Sequence, residues 1–298
     1  MNISKSIIAI ALLLGGTGCA LLSSPVWAAT SAPAAVVTQR HAIAIKIRNT
    51  VIGEGVPKII IPTTGSTAEQ VLMQARAIGE NPDADLIEFR IDYLDFAVDA
   101  AQVAALGQQI VALVHGKPLI LTFRTKAEGG AREISDKAYG QLYLALIKAH
   151  FIDILDLEMF RQPAMVHQVL AAAHQAGIKV VLSSHDFNKT PETAELVARL
   201  RRQDAMGADI LKIAVMPHNV ADVLKLLDAT AQVRDHYSRK PLLTMSMGGL
   251  GAVTRLSGQV FGSDLTFGMS GEASAPGQID ASSLRQVLNT VNDAMEAK

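Results

Sequence analysis

Lys212 stands in the middle of Asp209-Ile-Leu-Lys-Ile-Ala-Val-Met-Pro217, a run that otherwise reads as a buried β-strand. Side chains alternate along a strand, so Ile210, Lys212 and Ala214 share one face and Leu211, Ile213 and Val215 the other. An amine among so many apolar neighbours is costly to keep charged, which predicts a pKa below the ordinary value of about 10.4. A neutral, desolvated lysine is the nucleophile needed to form a Schiff base with a carbonyl compound. The alternative is a lysine whose stem packs on the core while its amine reaches water at the strand end. A second candidate lies in Val181-Leu-Ser-Ser-His-Asp186, where Val181, Ser183 and His185 share a face. An imidazole at a strand end is a natural general acid–base. The seven other histidines (His41, His115, His150, His167, His174, His218 and His236) fall in helices, in connections or ahead of the fold.

Charges alternate in two further strand-like runs. In Leu86-Ile-Glu-Phe-Arg-Ile-Asp92, Ile87, Phe89 and Ile91 form one row and Glu88, Arg90 and Asp92 the other. Isolated buried charges are very costly, so three of them on one inward row require partners or a polar ligand. Either an internal ion-pair network, including Glu88 with Arg90, or recognition of a substrate meets that requirement. In the next run Leu121 and Phe123 face out while Thr122 and Arg124 face in, followed by the loop Thr125-Lys-Ala-Glu-Gly-Gly130. Its glycines permit unusual backbone angles, and a loop glutamate such as Glu128 is by itself ordinarily solvated. Arg255, placed by its sequence position at the opening of a helical segment, offers a guanidinium fork for a carboxylate or simply a surface cation. Near the C-terminus, Gly268-Met-Ser-Gly-Glu-Ala-Ser-Ala-Pro-Gly-Gln278 has a lid-like composition, with Ser274 and Gln278 able to bond hydroxyls.

These residues need a frame that brings them together. Apolar runs recur at 58–61, 85–91, 118–124, 151–158, 179–183, 209–215, 241–245 and 264–268. Stretches of helical period separate them at 67–80, 100–114, 136–149, 163–175, 191–206 and 220–235, and another at 282–295 closes the chain. Such an alternation predicts a (β/α)8 TIM barrel, with an open doubly wound sheet as the alternative. The segment 42–56, with Ile43, Ile45, Ile47, Val51 and Ile52, is expected to form a β-hairpin closing the barrel bottom.

The first 28 residues read as a secretory signal peptide, with Lys5 in the n-region, Ile7 to Leu14 as h-region and Val26-Trp27-Ala28 as cleavage site. The apolar run is interrupted by Gly15, Gly16 and Gly18 and is short for a membrane anchor. Cys19, the sole cysteine, has Gly16 three residues before it rather than the Leu-like residue of a lipoprotein signal. Residues 29–41 are expected to be a flexible lead-in and 42–298 one catalytic domain, large enough for a substantial core. A net charge of −1 without a basic stripe gives no sign of nucleic-acid or membrane-surface binding. No stable membrane association is expected after cleavage, and export predicts a periplasmic location.

Glu88-Phe-Arg-Ile-Asp92, Thr122-Phe-Arg-Thr-Lys-Ala-Glu-Gly-Gly130, Ser184-His-Asp-Phe187, Lys212-Ile-Ala-Val-Met-Pro217, Arg255-Leu-Ser-Gly-Gln-Val-Phe-Gly262 and Ser274-Ala-Pro-Gly-Gln278 together resemble type I 3-dehydroquinate dehydratase. The resemblance implies dehydration of the small molecule 3-dehydroquinate to 3-dehydroshikimate by syn elimination, without metal or organic cofactor, in a homodimer. It implies Lys212 as the Schiff-base lysine, His185 as the general acid–base and Glu128 as the acid paired with that histidine. Glu88, Arg90, Arg124, Arg255, Ser274 and Gln278 match positions that bind the substrate's carboxylate and hydroxyls. Two positions depart from the family pattern: Pro62 stands where a serine is common, and Met247-Gly-Gly-Leu-Gly251 lacks a charged residue seen in many relatives. Combined with the leader, the resemblance implies a catabolic role on 3-dehydroquinate formed from quinate outside the inner membrane.

Three other functions compete. A Schiff-base aldolase on the same barrel would use Lys212 equally well. A metal-dependent barrel built on Glu88, Asp92 and His185 is disfavoured, because Arg90, Arg124 and Lys212 would repel the cation. A periplasmic sugar-acid binding protein would suit the leader, but the chain has no hinge-like boundary between two domains.

Overall fold

A computed structural model describes residues 41–271 and 273–297; the leader and most of the lead-in expected at 1–41 lie outside them. Two short strands, β1 (Ile45–Ile47) and β2 (Thr50–Ile52), pair antiparallel ahead of eight parallel strands. These are β3 (Lys58–Pro62), β4 (Leu86–Arg90), β5 (Leu119–Thr122), β6 (Ile154–Glu158), β7 (Lys179–Asp186), β8 (Ile210–Val215), β9 (Leu242–Ser246) and β10 (Leu265–Met269). The intervening helices are α1 (Ala68–Glu80), α2 (Ala100–Leu113), α3 (Asp136–Ile147), α4 (Pro163–Gln175), α5 (Thr193–Ala205), α6 (Val220–Gln232), α7 (Gly248–Leu256) and α8 (Gly258–Phe261). A two-residue strand, β11 (Ile279–Asp280), leads into α9 (Ala281–Glu296).

From β3 to β9 each strand pairs in parallel with the next, and β10 returns to pair with β3. The ring closes between β9 and β10, where Asp264 N–H donates to the Leu242 carbonyl at 2.8 Å and Thr244 N–H to Ser263 Oγ at 3.2 Å. The result is a (β/α)8 barrel.

The period-two pattern of the strands sorts the core into two layers. Ile59, Ile61, Ile87, Phe89, Leu119, Leu121, Leu155, Leu157, Val180, Leu182, Leu211 and Ile213 face outward and pack under the helices. Ile60, Leu86, Ile120, Ile154, Val181, Ile210, Leu243 and Leu265 face inward and form an apolar floor within the barrel. The hairpin closes this floor from below, as expected, but through Ile47 and Ile52; Ile43 is exposed instead. Its turn is tied to the barrel by Arg48, which pairs with Asp153 at 2.7 Å. Above the floor the inward positions of β4 to β8 change to polar at Glu88, Thr122, Asp156, Ser183 and Lys212, and that change creates the site.

Several helices begin where their side chains can satisfy the free N–H groups of the first turn. Thr67 and Gln70 form a reciprocal capping box on α1, Asp99, Ser135 and Asn219 cap α2, α3 and α6, and Pro163 occupies the first turn of α4. Several boundaries differ from expectation: β6 starts at Ile154 rather than at residue 151, and β7 runs on to Asp186 rather than ending at Ser183. The α5 helix starts at Thr193 rather than Pro191, and α6 passes at its end into a wider turn, Val233–Tyr237, in which Arg234 turns inward to Asp264.

Candidate active site

The upper ends of the barrel strands surround one pocket, lined among others by Glu88, Arg90, Arg124, Glu128, His185, Lys212, Arg255, Ser274 and Gln278. All nine residues singled out in the sequence therefore converge. Its space, including the open mouth, is about 470 Å³. Among the described residues no group of His, Cys, Asp and Glu is placed to hold a metal ion.

Lys212 points inward from the middle of β8 and is 3 % exposed, which rules out an amine reaching bulk water. Nor do apolar neighbours surround it, as its own strand implied. Its Nζ donates to Asp156 Oδ2 at 2.7 Å, lies 4.0 Å from Glu88 Oε1 and sits 4.8 Å over the centre of the Phe267 ring. The strand backbone is held in turn by Gln203 of α5, which bonds both N–H and C=O of Lys212.

His185 comes from the neighbouring strand β7, whose Ser183 pairs in register with Lys212. Glu128 lies in the turn after β5, where Gly129 takes a positive φ of 84° and Gly130 folds back onto Arg124. A Cβ at Gly130 would lie 1.9 Å from the Arg124 carbonyl oxygen, so only glycine lets this loop close tightly. The loop sets Glu128 Oε2 2.8 Å from His185 Nδ1, and the same oxygen accepts the His185 backbone N–H at 3.1 Å. With Nδ1 engaged, Nε2 is the ring nitrogen left without a hydrogen bond among the described residues. Burial opposes charge on both partners, raising the Glu128 carboxyl and, reinforced by the Arg124 and Lys212 cations, holding the His185 imidazole well below its usual 6.5. The pair titrates as a unit, and the imidazole keeps a free lone pair into mildly acidic solution. The acid limb of kcat/KM is accordingly expected to have its midpoint below pH 6.5. A midpoint at or above that value, measured in steady state, would contradict a buried neutral imidazole as the base.

The inward charges play unequal parts. Arg90 is held by its fork to Asp92, with Nε and Nη2 at 2.8 and 2.9 Å, and the pairing with Glu88 that the sequence allowed is not formed. Glu88 instead accepts from Thr122 at 2.8 Å. Asp92, expected on the inward row, is fully buried and accepts the backbone N–H groups of Arg124 and Ala131, so it fastens the loop that carries Glu128. Arg124 is committed to protein partners: Nη2 to Asp156 at 2.6 Å, Nη1 to Glu158 and Ser183 at 3.0 Å each.

Arg255 differs from both. It lies near the end of α7, not at a helix opening, and is 1 % exposed. Its Nη1 meets Met245 Sδ at 3.7 Å, its Nη2 donates to the Pro276 carbonyl at 3.2 Å, and its buried Nε has no partner. No acidic group among the described residues faces it, and burial alone lowers its pKa to about 10. It remains a cation at neutral pH, desolvated and without a counter-charge. Ser274 and Gln278 are bonded to each other, Gln278 Nε2 donating to Ser274 Oγ at 3.0 Å. Pro62 ends β3 opposite Glu88 and supplies no hydroxyl, and it does not line this pocket.

Two site residues escaped the sequence reading. Asp156 and Glu158 project inward from β6, both buried, and bind Lys212, Arg124, Ser183 and Thr125 between them. The alternation Ile154-Leu-Asp-Leu-Glu158 is the same signal that singled out Glu88 and Arg90.

Fold and site together define a barrel that gathers a buried amine, a His–Glu pair and a guanidinium without an acidic partner among the described residues around one pocket. A family model described as type I 3-dehydroquinase matches residues 59–295, and the chain belongs to that family. It is 50 % identical over 245 residues to the "Catabolic 3-dehydroquinate dehydratase" of Acinetobacter baylyi, covering 82 % of this chain and 90 % of that protein. It is 48 % identical over 248 residues to the 3-dehydroquinate dehydratase of Syntrophotalea carbinolica, covering 83 % and 98 %. Among solved structures, the type I enzyme of Clostridium difficile bearing covalently modified comenic acid superposes with a TM-score of 0.81 at 38 % identity, covering 85 % of this chain and 99 % of that one.

Proposed function

We propose that this chain is a 3-dehydroquinate dehydratase, eliminating water from 3-dehydroquinate through a Schiff base on Lys212. The observation that carries the reading is the buried guanidinium of Arg255, which has no acidic partner among the described residues, on the wall of the pocket that holds Lys212 and His185. A carboxylate bound there supplies the missing counter-charge and fixes the substrate's orientation. The ketone then meets Lys212, and a protonated imine draws electrons from the adjacent C–H bond far better than a ketone does. His185 Nε2 takes the C2 proton, with Glu128 orienting the ring, and returns a proton to the departing hydroxyl. Glu88, Arg90, Ser274 and Gln278 offer the hydroxyls polar contacts, while Arg124 orders the carboxylates around Lys212. Incubation with 3-dehydroquinate is expected to produce the absorbance of the conjugated enone product. A folded protein that leaves the absorbance flat would overturn the reading and favour a different Schiff-base lyase or aldolase.

Arg255→Gln is expected to raise KM by about 30-fold or more, since breaking a buried charge pair costs at least about 2 kcal/mol, with a smaller effect on kcat. Arg255→Lys keeps the charge but loses the fork and falls between the two. Steady-state kinetics decide; an unchanged KM in the Gln variant would place the carboxylate elsewhere.

We further infer export to the periplasm, with residues 1–28 removed, 29–41 as lead-in, 42–298 as the catalytic domain and a homodimer as the working form. The leader's charged, apolar and small-residue regions support export, and no described helix is long and apolar enough to cross a membrane. Export suits a catabolic role on 3-dehydroquinate derived from quinate, and the name of the Acinetobacter baylyi relative is in keeping with it. Cell fractionation with N-terminal mapping tests this, and a cytosolic protein that retains its leader would refute it.

A further inference from the structure

Behind the pocket wall, against the amine of Lys212, stands an acid for which the lysine–histidine mechanism states no role. Asp156 is 1 % exposed, and its Oδ2 lies 2.7 Å from Lys212 Nζ, the atom that must bond to the ketone. Its other oxygen accepts from Arg124 Nη2 and from Ser183 Oγ, both at 2.6 Å. Three donors thus fix the carboxylate against the reacting nitrogen before any substrate arrives. Glu88, the other acid facing Lys212, is farther off at 4.0 Å and is engaged by Thr122.

Resting on the Schiff-base reading above, we propose that Asp156 is the counter-ion of the iminium formed at Lys212, keeping Nζ protonated so that it is cationic before the C2 proton leaves and again once the hydroxyl has departed. The charge balance of imine formation explains the need. The ammonium gives up two protons and the ketone its oxygen, which leave together as water. The nitrogen pair freed by deprotonation makes the bond to carbon, and the C–O bond breaks with its electrons on the departing oxygen. Nitrogen carries one positive charge at the start and at the end. A carboxylate already in place therefore stabilises both states without reorganising. An iminium that lost its proton would become a neutral imine, a much poorer electron sink for the adjacent C–H.

Asp156 serves as a fixed charge rather than as a base. Burial by itself would raise its carboxyl, but Arg124 first, then Lys212 and His185, outweigh burial and hold it well below the usual carboxylate range. The charged and titratable groups around Nζ are Glu88 from β4, Arg124 from β5, Asp156 from β6 and His185 from β7, with the uncharged Phe267 ring from β10. Arg124 and any second proton on His185 would expel the iminium proton, and Asp156 is the nearest acid opposing them.

The test compares two reductants on full-length protein with 3-dehydroquinate. Borohydride reduces imine and iminium alike, whereas cyanoborohydride reduces the protonated form. With the wild type, the ratio of cyanoborohydride to borohydride trapping at Lys212 is expected to stay level between about pH 6 and pH 9, because the neighbouring anion keeps the iminium protonated. In Asp156→Asn the ratio is expected to fall with rising pH, and the alkaline limb of kcat to move down by about one to three pH units. Asp156→Glu, which restores the charge, is expected to return that limb to its wild-type position even where the altered reach slows turnover. A ratio that already falls across the window in the wild type overturns the proposal, whether or not the Asn variant folds. So does an Asn variant whose pH profile is unmoved although its rate is reduced, the mark of a purely structural acid. Failure of both reductants to trap the wild type at Lys212 would remove the Schiff-base reading itself.

Discussion

Lys212→Met is expected to abolish both turnover and covalent capture of the substrate. Borohydride added to the wild type with 3-dehydroquinate should leave one reduced adduct, located at Lys212 by peptide mapping, and the variant should show none. The loss in kcat is expected to be on the order of 10⁴–10⁶-fold, the scale seen when the nucleophile of a covalent mechanism is removed. The geometry supports so large an effect. Lys212 is the amine lining the pocket, and it is held in place by Asp156, Glu88, Phe267 and the Gln203 bonds to its backbone. Methionine nearly conserves volume but leaves Asp156 and Glu88 without a cation between them. Removing one partner of a buried pair destabilises by about 3–5 kcal/mol, so a thermal melt must accompany the assay. Lys212→Arg retains the charge without a usable nucleophile and gives the same kinetic result on a better-supported fold. A folded variant that still yields a reduced adduct would show that another amine captures the ketone.

What the sequence revealed about this site, and what it hid, follows from the strand geometry. Alternation is local, so Lys212, Glu88, Arg90, Arg124 and His185 could each be assigned to an inward row from their immediate neighbours. The apolar floor was legible for the same reason, since Leu86, Ile120, Ile154 and Ile210 sit two residues before the point where each strand turns polar. Partners are not local. Lys212 meets Asp156 across 56 residues of chain and Arg124 meets Glu158 across 34, separations that depend on the stagger of strands round the barrel. The apolar surroundings expected for the amine were therefore those of its own strand, whereas the facing strands supply carboxylates. Arg255 was misplaced along its helix for a related reason: α7 begins at Gly248, earlier than its glycine-rich sequence suggests. Gly251 there packs against the Ser246 carbonyl, a tertiary contact that helix propensity does not register. Glu128 looked like any solvated loop acid because the φ of 84° at Gly129 and the close approach at Gly130, which turn it inward, are features of the folded backbone.

His185→Ala is expected to separate the two halves of the reaction that Lys212→Met removes together. The imidazole holds none of the contacts that position the amine: Nζ is set by Asp156, Glu88 and Phe267, and the strand backbone by Gln203. Imine formation at Lys212 should persist, and borohydride should still give the mass of the reduced adduct. The C2 proton, in contrast, loses its acceptor. Turnover is expected to fall by about 10²–10⁴-fold, the usual contribution of a positioned general acid–base, and substrate recovered from deuterated solvent should carry no label at C2. Glu128 keeps its bond to the backbone N–H of residue 185 at 3.1 Å and its contact with Arg124, so the loop has reason to stay closed. The space left by the ring opens on the pocket and can fill with water, which limits the cavity cost. The variant would thus report on proton transfer rather than on folding. Adduct without label exchange assigns nucleophile and base to separate residues. Near-normal turnover would mean that Nε2 is not the base, and loss of the adduct along with turnover would mean that the ring also takes part in forming the imine.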